Sequence, residues 1–199
     1  MAVSIIFNIL ASLVFLFLFW RKMREDYTSS QIFTTSVYIL LGAGLGVAFS
    51  LKIAHSWWFW FLLIGMALGF GLGVWRFRLR FYEALDSIIS SLLPWLGVFF
   101  LSDSIVNLKL SSLVASALTF LLVALYWYLD SHYKNFTWYR SGKVGFAGLM
   151  TAAAFFLVRA ALAIPFSFVL SFSGKFEAIF SAITAFIFFL LIFNLSRQV

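Results

Sequence analysis

The sequence has no cysteine and very few charged residues, and both absences narrow the classes of protein that it can encode. Without cysteine, disulfides, thiolate metal sites and cysteine nucleophiles are excluded. Only 11% of the 199 residues are charged, whereas about a quarter are charged in a typical soluble domain. With 64% hydrophobic residues and a mean hydropathy of +1.05, the chain is predicted to be an integral membrane protein.

Apolar runs long enough to cross a bilayer organise the whole chain. A transmembrane helix needs about 20 predominantly apolar residues, and this length identifies seven spans joined by short connections. We therefore predict an all-α bundle of seven transmembrane helices, forming a single domain over residues 1–199. In the first run the positive charges follow the apolar residues, which predicts a retained span rather than a signal peptide. The predicted spans cover residues 3–20, 31–51, 57–75, 84–105, 111–129, 144–170 and 176–195.

The net charge of +7 is explained by the positions of the lysines and arginines. Ten of the fourteen lie in alternate connections and at the C-terminus, namely in Arg21–Arg24, Arg76–Arg80 and Lys134–Lys143 and at Arg197. The positive-inside rule then predicts an outside N-terminus and a cytoplasmic C-terminus. Because short basic clusters beside apolar spans suit an anionic leaflet, we predict a multi-pass protein of the plasma (inner) membrane, with no nucleic-acid partner.

Glycines recur at helical spacing in the second and third spans. Gly42 and Gly46 are four residues apart, as are Gly65 and Gly69. Such small-xxx-small pairs let two helix backbones approach closely, so close helix packing is the favoured interpretation. The alternative is that the two small-residue faces flank a groove that opens sideways to the bilayer, which makes these four glycines candidate lipid-binding residues.

Arg159 lies far from either end of the sixth span, and a cation at that depth normally faces a bundle interior, a wet cavity or a counter-ion. At about 1.5 Å per residue, Arg159 lies about 22 Å along its helix and Asp103 about 28 Å along the fourth helix. We therefore predict that Asp103 is the counter-ion of Arg159, in the outer half of the bilayer. Glu177 is expected to lie near the outer surface. Asp86, at the cytoplasmic end, is expected to interact with its own helix dipole.

Three stretches follow one another in a characteristic order. A basic cluster precedes Ser30–Phe33 and Leu41–Gly46, Arg76–Arg80 precedes Ala84–Asp86, and Tyr139–Val144 leads into the sixth span. This order resembles the prolipoprotein diacylglyceryl transferases, seven-helix inner-membrane enzymes that move diacylglycerol from phosphatidylglycerol onto a lipobox cysteine. The resemblance extends over about residues 16–163. It implies a phosphatidylglycerol-like phospholipid as ligand, leaves open a prolipoprotein signal peptide as a second partner, and implies neither a cofactor nor a metal.

The motifs that carry the chemistry of that family are replaced here. Its His-Gly-Gly element corresponds to Phe61–Gly65, and its glycine–arginine–glycine–asparagine signature corresponds to Leu96–Asp103. Arg159 is the candidate for the functional arginine of the penultimate helix, although an ungapped placement puts that arginine at Phe156, one turn earlier on the same helix face.

These residues leave three functions open. In a divergent transferase, Arg159 would hold the lipid phosphate and Asp103 would accept the thiol proton, so both are candidate catalytic residues. Because both histidines lie in connections and no second arginine lies within a span, the sequence favours a non-catalytic relative that binds phospholipid in the outer half of the bilayer. The alternative is a small membrane transporter or the substrate-binding subunit of an importer. Its cavity would be lined by polar side chains, for which the candidates are Asn8, Tyr38, Asp103, Thr119 and Thr151.

Overall fold

The computed structural model describes residues 2–136, 139, 144–165 and 171–197. These residues form seven α-helices and no strand, and each helix is long and apolar enough to cross a membrane. The prediction of a seven-helix membrane protein is confirmed to that extent. The helices are α1 (Ala2–Met23), α2 (Ser29–Ile53), α3 (Trp58–Phe77), α4 (Phe81–Asn107), α5 (Leu110–His132), α6 (Phe146–Ala163) and α7 (Glu177–Arg197).

Helix α6 is shorter than the predicted span 144–170. It begins after Gly145, whose φ of +117° is a conformation that residues with a side chain rarely adopt. It ends at Ala163, just before Ile164 and Pro165, and a proline has no backbone N–H to donate to the preceding turn of the helix. Residues 166–170 of the predicted span, and Arg140–Lys143 of the predicted basic connection, lie outside the described residues.

Helix α4 is at the centre of the bundle, where it packs against α1, α5 and α6, while α7 packs against α6. Its inward face carries large apolar side chains such as Leu93, Leu96 and Phe100, all almost fully buried. The outward faces of α1, α3 and α7 present leucine, isoleucine and phenylalanine side chains, as lipid contact requires. The bundle therefore has a packed interior around α4 and an apolar exterior.

Helices α2 and α3 form a closely packed hairpin through their glycines. A methyl group added to Gly42 would overlap the backbone carbonyl of Gly65, and one added to Gly65 would overlap that of Gly42. Similarly, methyl groups on Gly46 and Gly69 would overlap the carbonyls of Phe61 and Tyr38. The two backbones fill the space between these glycines, and this geometry favours the packing interpretation over the alternative of a groove.

The connections give the bundle two unlike ends. The basic end contains the end of α1, the α3–α4 turn and the ends of α5 and α7. It carries six exposed arginines, namely Arg21, Arg24, Arg76, Arg78, Arg80 and Arg197. There Tyr27 accepts a hydrogen bond of 2.9 Å from the backbone N–H of Arg80, which ties the first connection to the third. Arg80 itself donates to Glu83 at 3.0 Å, and this bond raises the pKa of Arg80. Which end faces the cytoplasm stays a prediction.

Candidate functional site

Arg159 is paired with Glu177 at the end of the bundle opposite to the basic one. Its Nε and Nη2 atoms donate to the same carboxylate oxygen, Oε1, at 3.0 and 2.5 Å. Both side chains are buried, with exposed fractions of 6% for Arg159 and 0% for Glu177. The guanidinium also donates from Nη1 to the hydroxyl of Ser171 at 2.8 Å, and from Nη2 to the Ser171 carbonyl at 2.9 Å. The intramembrane cation is therefore neutralised and hydrogen-bonded within the protein.

The Glu177 carboxylate receives donors from three more residues. Oε1 accepts the hydroxyl of Ser181 at 2.8 Å, and Oε2 accepts the indole N–H of Trp60 at 2.9 Å. The backbone N–H and the hydroxyl of Ser173 donate to Oε2 at 3.1 and 2.9 Å. With the two bonds from Arg159, each carboxylate oxygen accepts three hydrogen bonds. A buried carboxylate is costly unless it is paired and hydrogen-bonded, and here both conditions are met.

Aromatic rings surround the guanidinium group. Its Cζ atom lies 3.8 Å from the centroid of the Phe59 ring, 5.0 Å from that of Phe172 and 5.6 Å from that of Phe155. A guanidinium over the face of an aromatic ring is attracted by the ring quadrupole, more strongly when water is excluded. These contacts hold Arg159 in one position against α3 and the segment before α7.

The prediction that Asp103 is the counter-ion of Arg159 is wrong. Asp103 accepts a hydrogen bond of 2.7 Å from Asn107 and another from Ser112, and its half-buried carboxylate joins the ends of α4 and α5. The error came from the depth assigned to Glu177. Because α6 ends four residues after Arg159 and α7 begins at Glu177, the two side chains lie at the same level.

A cavity of about 350 Å³, here called cavity I, lies between α4, α5 and α6 beside this pair. Arg159 and Ser171 belong to its wall, and Ser111 and Thr119 supply two further hydroxyl groups. Its volume falls within the range of small-molecule sites. The remaining described lining is apolar and consists of Phe100, Leu110, Val114, Ala115, Leu118, Leu122, Phe155, Val158, Leu162 and Phe172.

A second cavity of about 480 Å³, cavity II, separates α3 from α4, α6 and α7. Phe155 lines both cavities. Trp60 lines cavity II and donates to Glu177, while Arg159 lines cavity I and pairs with the same carboxylate. The ion pair and Phe155 therefore form part of the partition between two apolar spaces.

The other sequence-predicted residues do not gather at this site. Neither cavity is lined by Gly42, Gly46, Gly65 or Gly69, or by Asp103. Of the polar residues proposed for a transport cavity, Thr119 lines cavity I, but its hydroxyl already donates to the Ala115 carbonyl at 2.7 Å. His55 and His132 are exposed, and His132 stacks on Tyr128. Over the described ranges, no group of three or more potential metal ligands is present.

A second buried ionic network, missed by the sequence analysis, lies at the basic end. The Lys22 ammonium is 3.2 Å from Oδ2 of Asp86 and 2.7 Å from Oδ1 of Asp130. Asp86 is fully buried and accepts two more hydrogen bonds, from the Tyr126 hydroxyl at 3.0 Å and from the backbone N–H of Gly148 at 2.7 Å. One carboxylate therefore connects α4 to α1, α5 and α6.

A signal for this network was present in the sequence. Lys22 at the end of α1, Asp86 near the start of α4 and Tyr126 near the end of α5 all belong to the same end of an up-and-down bundle. The depth arithmetic used for Arg159 would have placed them together. Gly148 lies at this contact, and it leaves room for Asp86 because a methyl group there would lie 2.6 Å from Oδ1 of Asp86.

No family model, curated protein or solved structure matches this chain. The class of protein therefore rests on the helices themselves. Seven helices that are apolar enough to cross a bilayer define a multi-pass membrane protein. Within it, the described part of the chain holds two ion pairs with a fully buried carboxylate, Arg159–Glu177 and Lys22–Asp86, at opposite ends.

Proposed function

We propose that this protein binds a membrane phospholipid, with an acyl chain in cavity I and the Arg159–Glu177 pair at the wall of the site. The observation that carries the proposal is cavity I itself: an apolar space of about 350 Å³ among membrane-spanning helices, with a few polar groups on its wall. Apolar pockets with a few fixed polar groups are the usual form of small-molecule sites. In a membrane, the abundant ligand that matches such a pocket is a lipid chain.

Binding without transfer chemistry is the form of the proposal that the site favours. A diacylglyceryl transfer needs a group that accepts the thiol proton. Glu177 is the carboxylate beside the cavity, and both of its oxygens are occupied by strong donors. Asp103 is bonded to Asn107 and Ser112 and does not line cavity I. We propose a non-catalytic relative of the prolipoprotein diacylglyceryl transferases in the plasma (inner) membrane, on the basis of the resemblance over residues 16–163.

The test is lipid retention by the purified protein after extensive detergent exchange, quantified by mass spectrometry. Val158 lines cavity I, and Val158→Trp should fill part of the cavity and reduce the retained lipid per protein by at least about half, since the lost space excludes a chain. Leu157→Trp is the matched control, because Leu157 is the neighbouring residue, lies 47% exposed on the outer face of α6 and lines neither cavity.

Two results would contradict this function. One is a wild-type protein that carries no lipid after exchange. The other is a Val158→Trp variant that retains as much lipid as Leu157→Trp. A lipobox peptide incubated with protein and phosphatidylglycerol is expected to stay unmodified. If a thioether formed on its cysteine, the function would be diacylglyceryl transfer rather than lipid binding alone.

A further inference from the structure

The charge of Arg159 is balanced inside the protein. Glu177 takes two hydrogen bonds from the guanidinium, and the pair is buried with exposed fractions of 6% and 0%. A phosphate in cavity I would therefore face a neutral pair rather than a free cation. For Arg159 to turn towards a phosphate, it would have to leave a buried carboxylate without its counter-ion, which is strongly unfavourable.

The remaining hydrogen-bonding capacity of the site suits a neutral acceptor. Within the described chain, Arg159 uses four of its five N–H donors, which leaves one on Nη1. The Ser171 hydroxyl accepts from Arg159, so its own O–H is available as a second donor. Both residues line cavity I. Two donors beside an apolar space can satisfy a carbonyl oxygen, whereas a phosphate needs more donors and an opposite charge.

We infer that the lipid group held beside Arg159 is an uncharged ester carbonyl of the acylglycerol part and that the site does not select lipids by the charge of their headgroup. This inference rests on the proposed lipid-binding function. In this arrangement Arg159 and Ser171 contact the uncharged glycerol ester region of the lipid, which lies between the chain in cavity I and a headgroup outside the cavity. A neutral acylglycerol and an anionic phospholipid with the same chains then have similar affinities.

The experiment uses the full chain in vesicles of phosphatidylglycerol, phosphatidylcholine and diacylglycerol with identical chains, followed by detergent exchange and mass spectrometry. Wild type is expected to retain the three lipids in nearly the proportions supplied. Glu177→Gln leaves the Arg159 charge unbalanced, and we expect it to enrich both phospholipids over diacylglycerol by about tenfold, because both carry a phosphate to which a charge-assisted bond then becomes available.

A second variant keeps the inference testable if Glu177→Gln does not fold. Ser171→Ala removes the hydroxyl donor but keeps the ion pair, so it should lower the retention of all three lipids by a similar factor. Ser196→Ala is its control, since Ser196 is a partly exposed serine at the basic end whose hydroxyl donates to the Phe193 carbonyl. Loss confined to the two phospholipids in Ser171→Ala, with retention of diacylglycerol unchanged, would overturn the inference.

The Val158→Trp variant distinguishes lipid bound in cavity I from anionic lipid attracted to the basic end of the bundle. Any preference for phosphatidylglycerol that persists in Val158→Trp belongs to the basic surface and supports a charge-independent cavity. A preference of wild type for the two phospholipids over diacylglycerol that disappears in both Val158→Trp and Arg159→Gln would overturn the inference, because Arg159 would then hold a phosphate in cavity I. If wild type retains no lipid of any kind, the proposed function fails instead, so the two failures are distinguishable.

Discussion

The two ionic networks of this bundle differ in how completely their charged groups are paired with one another and shielded from solvent. At the end that holds cavity I, one arginine and one carboxylate pair with each other, and six hydrogen bonds saturate the carboxylate. At the basic end, the single ammonium of Lys22 is shared between two carboxylates, and its side chain is 26% exposed. The first network is neutral and buried, whereas the second carries a formal charge of −1 and reaches the surface through Asp130.

This difference indicates how each network responds when one member is removed. In the described structure Glu177 pairs with no cation other than Arg159, so loss of Arg159 leaves a buried carboxylate without a counter-ion. Lys22, in contrast, has Asp130 as an alternative partner when Asp86 is neutralised. The Arg159–Glu177 pair therefore holds its helices together, and removing one partner is costly. The Lys22 network should lose less stability when one carboxylate is neutralised, because part of its charge is already solvated.

Arg159→Gln is expected to have the largest effect, a loss of about 3–5 kcal/mol in the free energy of unfolding in detergent, because it leaves Glu177 buried and uncompensated. Glu177→Gln should cost a similar amount for the converse reason. The double variant should lose less than the sum of the two, as expected for residues in direct contact. Thermal or denaturant unfolding of the four proteins measures this cycle.

The matched control for this cycle is Arg197→Gln. Arg197 is an exposed arginine of α7 that stacks on Phe193 at the basic end, and its loss should change stability by no more than about 0.5 kcal/mol. If Arg159→Gln behaved like Arg197→Gln, the Arg159–Glu177 pair would contribute little to the stability of the fold, and the contrast between the two networks would disappear.

Asp86→Asn is expected to have an intermediate effect, a loss of about 1–3 kcal/mol. The amide oxygen can still accept the Gly148 N–H, and Lys22 keeps its bond of 2.7 Å to Asp130. Asp86→Asn combined with Asp130→Asn should cost more than the sum of the single changes, since Lys22 then has no carboxylate left. Additive losses would show that Lys22 is not shared. Glu83→Gln, in the surface pair with Arg80, is the control and should cost at most about 1 kcal/mol.

The sequence predicted the architecture better than it predicted the ionic partners. Seven apolar runs and the spacing of Gly42, Gly46, Gly65 and Gly69 follow from one-dimensional patterns, so the spans and the close α2–α3 contact could be read from them. Arg159 was also recognised as an internal cation.

The partner of Arg159 depended on where α6 ends and how α7 begins, and these are properties of the return segment rather than of periodicity. Because α6 ends a few residues earlier than predicted, the carboxylate nearest to Arg159 is Glu177 and not Asp103. Cavity I was beyond prediction for a related reason, since its volume depends on how side chains of three helices fit together.

Asp103→Asn is expected to have the smallest effect of the series, a loss of about 1 kcal/mol or less. Asp103 is half-buried, and an asparagine at this position keeps an amide oxygen that can accept from Asn107, while its amide N–H can donate to the hydroxyl oxygen of Ser112 in place of the bond that Asp103 accepted. Because Asp103 does not pair with Arg159, adding Asp103→Asn to Arg159→Gln should recover none of the stability lost in the single variant, and the two losses should add. Ser112→Ala is the control, since it removes one of the same hydrogen bonds without touching the charge. Recovery in the double variant, measured by unfolding under the conditions used for the Glu177 cycle, would show that Asp103 and Glu177 compete for the same arginine.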